Sequence, residues 1–96
     1  MKEKNKWLNQ PKKDLFKAIL KLKTSVEAAK FFRDLCTIEE LDEMGKRWQA
    51  VKMINKNQPY RKISQKTGLS TTTVGRVAHW LNYGEGGYRI ILKRSK

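Results

Sequence analysis

The residues with the widest chemical options lie in the stretch YRKISQKTGLSTTTVGRVAHWL, Tyr60 to Leu81. Val74, Val77 and Leu81 recur at helical spacing and define an inward face. That leaves Thr71, Thr72, Gly75, Arg76 and His79 on the outer one. Short hydroxyl groups in a first helical turn, followed one turn later by longer donors, form a hydrogen-bonding set rather than a reactive one. In a major groove, threonine hydroxyls and methyls meet base edges, and an arginine pairs with guanine. Just upstream, Arg61, Lys62 and Lys66 supply positive charge of the kind that meets phosphates.

Other candidate chemistries are poorly supplied. The acidic run Glu39, Glu40, Asp42 and Glu43 has no histidine or nucleophile beside it, and it suits the positive end of a helix dipole. The single Cys36 excludes an internal disulfide and a cysteine-built zinc site, and the single His79 has no Cys or carboxylate at ligand spacing. No enzyme, metal site or cofactor is expected. The glycines at 84, 86 and 87 are not followed by the Lys-Ser/Thr of a phosphate-cradling loop.

Charge supports a polyanionic partner. The net charge is +13 over 96 residues, and its distribution is uneven. Residues 1–30 carry nine basic and three acidic side chains, residues 31–45 one and five, and residues 46–96 twelve against the single Glu85. No apolar run approaches the roughly 18 residues of a membrane span, and the lysine-rich N-terminus lacks the apolar core of a signal peptide. The chain reads as cytoplasmic, with no membrane partner.

The elements that must position these residues are helical throughout, in a single domain over residues 1–96. Residues 1–10 read as a loose arm. A first helix begins near Pro11, with Leu15, Ala18, Ile19 and Leu22 on one stripe and Phe16 and Leu20 off it. A helix apolar on more than one face needs neighbours on several sides; a second subunit is a natural source, and simple burial beneath the chain's other helices is the alternative. Thr24 with Glu27 and Thr37 with Glu40 have capping-box spacing and open the second and third helices. The third carries Ile38, Leu41, Met44, Trp48 and Val51 inward and ends at Asn57-Gln58-Pro59. Within the functional stretch, Ile63 points inward, Gly68 suits a left-handed reversal, Leu69 plugs the turn and Ser70 caps the second helix: a helix-turn-helix over residues 60–81. Residues 82–87 read as a flexible joint, and Tyr88, Ile90, Ile91 and Leu92 as a short final helix.

Laid out in this order, the elements resemble the Trp repressor superfamily, in particular its smaller Trp-repressor-like relatives. The resemblance covers roughly Leu15 to Leu92. Its most specific stretches are Thr37-Ile38-Glu39-Glu40-Leu41-Asp42-Glu43-Met44-Gly45-Lys46-Arg47 and Thr71-Thr72-Thr73-Val74-Gly75. It implies six helices per chain, an intertwined homodimer, and a repressor of transcription that binds double-stranded DNA. By the same resemblance Arg61 is the phosphate-contacting arginine and Thr71 and Thr73 are the operator-facing threonines. Arg47 matches one of two arginines that hold the corepressor, and so marks a possible effector site. At Val74 the chain departs from the second of those arginines, and the turn at Gly68 is shorter than in Trp repressor itself. These departures point away from tryptophan sensing and toward an always competent protein or another small-molecule effector. The expected DNA-contacting set is Arg61, Lys62, Lys66, Ser70, Thr71, Thr72, Thr73, Gly75, Arg76 and His79.

A basic helical RNA-binding or protein-interaction module is the competing reading. Against it, Trp48 and Trp80 read as packed, leaving no surface aromatic platform of the kind single-strand binders use.

Overall fold

The structure, a computed structural model, describes residues 6–95, and the described residues form six helices and no strand. They are α1 (Gln10–Ile19), α2 (Ser25–Leu35), α3 (Ile38–Asn55), α4 (Tyr60–Thr67), α5 (Thr71–Tyr83) and α6 (Gly87–Arg94). The chain divides into two compact units, Met1–Thr37 and Ile38–Lys96.

In the first unit, the Asn9 side chain accepts from the Lys12 N–H at 3.1 Å and caps α1, with Pro11 in the first turn where its missing N–H leaves no bond unmade. Of the arm expected over residues 1–10, residues 1–5 lie outside the described residues. The remainder is tied back: Trp7 meets Phe16 edge-on at 6.3 Å, and Lys12 Nζ donates to the Trp7 carbonyl at 2.8 Å. Thr24 caps α2 by accepting from the Glu27 N–H at 3.1 Å. The return bond of the expected box runs one residue further back, from the Lys23 N–H to Glu27 Oε1 at 2.8 Å. Neither α1 nor α2 has a buried residue. Phe16 and Leu20, the two positions off the main stripe of α1, are 43% and 84% exposed.

The second unit holds the core, built from Ala50, Val51, Ile63, Leu69, Val74, Val77 and Leu81. Here α3 packs against both α4 and α5, and α6 closes over the far end of α5 through Tyr88 and Leu92. Trp48 joins the margin of this core and faces Tyr88 at 6.2 Å. Asn57 adopts a left-handed conformation with φ of 61°, and the Gln58 N–H donates back to Met53 O at 3.1 Å, which ends α3. Pro59 then stands as the residue before α4 rather than within its first turn.

The joint expected over residues 82–87 is shorter than it reads. Asn82 and Tyr83 continue α5, and only Gly84–Gly86 separate it from α6. Gly84 lies so close to the end of α5 that a Cβ there would strike the Trp80 carbonyl oxygen, and Gly86 takes φ of 91°. Both glycines are thus demanded by an abrupt reversal.

Candidate nucleic-acid interface

The helix-turn-helix is set by a small hydrogen-bond network at the reversal. Gly68, at φ of 82°, donates its N–H to Ser64 O at 2.9 Å, as a left-handed residue ending a helix does. Ser64 Oγ donates to Leu69 O at 2.6 Å. Thr67, only 5% exposed, donates its hydroxyl to Ile63 O at 2.8 Å and accepts from the Leu69 N–H at 3.1 Å. Its hydroxyl therefore joins the end of α4 to the turn. Ser70 accepts from the Thr73 N–H at 3.0 Å and donates to Thr73 Oγ1 at 3.0 Å, which caps α5.

With the turn fixed, burial divides α5 cleanly. Val74, Val77, Ala78 and Leu81 are buried. Thr71, Thr72, Arg76 and His79 are exposed, and Thr73 and Gly75 are intermediate. On α4, Arg61, Lys62 and Lys66 are all exposed. The ten expected contact residues thus lie on one hairpin, although Ser70 and Thr73 are tied to each other by the cap. His79 also has a neighbour on its own helix, the Tyr83 ring at 5.1 Å.

Arg47 stands apart from this set. It lies on α3, with Nε 3.4 Å from Glu43 Oε2 and its guanidinium carbon 6.0 Å from the centre of the Trp80 ring. The Nε makes no hydrogen bond in that pose. Val74, where the resemblance would place a second arginine, is fully buried. Trp80 corrects the sequence reading: it is 44% exposed, and Tyr83 is 78% exposed. The inward stripe of α5 runs through positions 74, 77 and 81, and residue 80 falls to its side, facing Arg47 rather than the core.

Three functional candidates escaped the sequence reading. Thr67 reads as an ordinary polar residue before a glycine, and only the fold reveals its two buried bonds. Tyr60 brings Cε2 within 3.9 Å of where a Cβ on Gly75 would stand, so its half-exposed ring borders the outer face of α5. At 3.9 Å that ring is at ordinary van der Waals distance, so it does not itself demand a glycine, and no pattern in the sequence signals it. Lys46 of α3 reaches the turn, with Nζ 3.9 Å from the corresponding point on Gly68.

A family profile described as Trp repressor protein matches residues 10–96. The chain belongs to the Trp repressor family. That family is one of DNA-binding regulators, not of enzymes. The uncharacterised protein YerC of Bacillus subtilis strain 168 is 43% identical over 82 residues, which are 85% of this chain and 79% of YerC. A TrpR-like protein of Eubacterium eligens has a solved structure that superposes with a TM-score of 0.88 at 43% identity, covering 94% of this chain and 93% of that one. A candidate Trp repressor of Staphylococcus aureus superposes with a TM-score of 0.86 at 39% identity, covering 95% and 92%. Both superpositions span nearly the whole of this chain, whose described residues form six helices and no strand. Among the described residues, no helix is long and apolar enough to cross a membrane, and no cluster of three metal-ligating side chains occurs.

Proposed function

We propose that this chain is a transcriptional regulator, a repressor, that binds double-stranded DNA sequence-specifically as a homodimer in the cytoplasm, with the first turns of α5 in the major groove. The observation that carries the reading is the division of α5 into a wholly buried face and a free face of hydroxyl, guanidinium and imidazole groups. Arg76 and Thr71, with Thr72 and Thr73, read base edges, and His79 meets the duplex one turn further on. Arg61, Lys62 and Lys66 hold phosphates and set the register. Ser70 serves mainly by capping α5, and Gly75 lets the groove wall come close. Family membership and the likeness to a candidate Trp repressor support regulation by DNA binding.

The effector reading differs from that of Trp repressor. Arg47 is engaged by Glu43 and faces Trp80, and buried Val74 offers no planar cation to stack on an indole. DNA binding without tryptophan, or under a different effector at Arg47, fits these residues best.

Selection from random duplex DNA at near-physiological salt tests the proposal. The expected product is a two-fold symmetric site with half-sites about one helical turn apart. Arg61→Ala should weaken binding to every sequence and flatten the salt dependence by about one unit of slope per protomer, about two for the dimer, as a lost phosphate contact in each half-site does. Arg76→Ala should instead relax preference at one base pair, at about 1–3 kcal/mol. Equal binding to duplex RNA, or enrichment of no sequence, would overturn it.

A further inference from the structure

Every cation so far assigned to the interface comes from α4 or α5, yet the helix behind them sends one side chain forward. Lys46 belongs to α3, and its ammonium stops 3.9 Å from where a Cβ on Gly68 would stand, beside the exposed residue that turns α4 into α5. Two carboxylates on its own helix lie within side-chain reach of this lysine, Asp42 at i−4 and Glu43 at i−3. Lys46 forms an ion pair with neither among the described residues, and Glu43 is engaged by Arg47 at 3.4 Å instead. Lys46 is thus an exposed residue without a carboxylate partner among the described residues, and its ammonium lies beside the reversal of the hairpin. Lys66 of α4 lies two residues before Gly68, and no acidic residue occurs from position 44 to position 84.

We infer that Lys46 is a phosphate-contacting residue, which extends the DNA interface from two helices to three; the inference rests on the DNA-binding reading above. A flexible ammonium meets phosphate as a point charge and carries no base information. Its contribution is thus uniform across sequences and sensitive to salt. A purely structural alternative exists, since a cation at this place also faces the negative end of the α4 dipole. The two roles separate experimentally, because a dipole partner affects unfolding and a phosphate contact affects the counterions released on binding.

The test measures duplex affinity of the full chain against salt, for the selected site and for an unrelated duplex, with Lys46→Gln, Lys46→Arg and Arg61→Ala side by side. Lys46→Gln removes one contact from each protomer and should lower the salt slope of the dimer by about 1.8, so that its loss of affinity between 50 and 200 mM salt is about twelvefold smaller than the parent's. The shift should be equal on both duplexes, and Lys46→Arg should restore it. An unchanged slope in Lys46→Gln while Arg61→Ala lowers its own would overturn the Lys46 contact and leave the DNA-binding reading standing, whether or not the melting temperature fell. Failure of the parent chain to bind either duplex would remove both.

Discussion

At the scale of single residues, Gly75 is the most informative position. Glycine within a helix costs about 0.8–1.0 kcal/mol relative to alanine. At the two reversals of this unit a positive φ justifies glycine, but Gly75 has none, and the nearest atom to a Cβ there is the Tyr60 ring edge at an ordinary 3.9 Å. Nothing within the chain requires its missing side chain. In the proposed complex the reason is external, since a methyl group here would stand on the free face between Thr71 and Arg76. Gly75→Ala should therefore act in opposite directions on the two properties. Thermal unfolding should rise by about 4–8 °C, as expected for roughly 1 kcal/mol in a domain this small. Affinity for the selected duplex should fall at least about tenfold, some 1.4 kcal/mol. Unchanged affinity in the stabilised variant would mean that the duplex does not approach α5 at this turn.

At the scale of elements, the hairpin is held by groups of two kinds, and they differ in how far the sequence discloses them. The apolar positions Ile63, Leu69, Val74, Val77 and Leu81, the cap at Ser70 and the reversal at Gly68 were all legible, because each follows from periodicity or from a local backbone demand. The two bonds of the Thr67 hydroxyl were not, since its partners Ile63 and Leu69 converge only when α4 and α5 cross. Trp80 and the short break at Gly84–Gly86 were misjudged for a related reason. Whether a ring at the edge of a stripe is covered, and how tightly two helices reverse, depend on neighbours that pattern alone does not supply. The turn gives a direct check. Thr67→Val keeps the shape and removes the hydroxyl, leaving the Leu69 N–H buried without its acceptor, at about 1–3 kcal/mol. Thr67→Ser should retain most of the stability. Chemical denaturation of the three chains measures both, and equal stability of Val and Thr would show that the hydroxyl does not hold the turn.

At the scale of the whole molecule, the two units differ in what sustains them. Ile38–Lys96 has a buried core of its own, whereas the helices of Met1–Thr37 bury no residue at all. Isolated helices shorter than about 12–15 residues are marginal in water, and α1 and α2 have 10 and 11. Their caps at Asn9 and Thr24 contribute about 1 kcal/mol each, too little to hold such short helices against the entropy of ordering them. The apolar residues they leave open include Phe16, Leu20, Val26 and Leu35. A second copy of the chain, as the family resemblance implies, would cover these faces and supply the missing burial. Association and helicity are then coupled by mass action. Light scattering at micromolar concentration should give about twice the mass of one chain, and the thermal midpoint should rise with protein concentration. Dilution should remove helical signal first from residues 10–35, where hydrogen exchange would report early opening while the segment from α3 to α6 stays protected. A monomer with its full helical spectrum and a concentration-independent midpoint would show that the chain covers these faces by itself, and the two-fold symmetric site expected from selection would lose its basis.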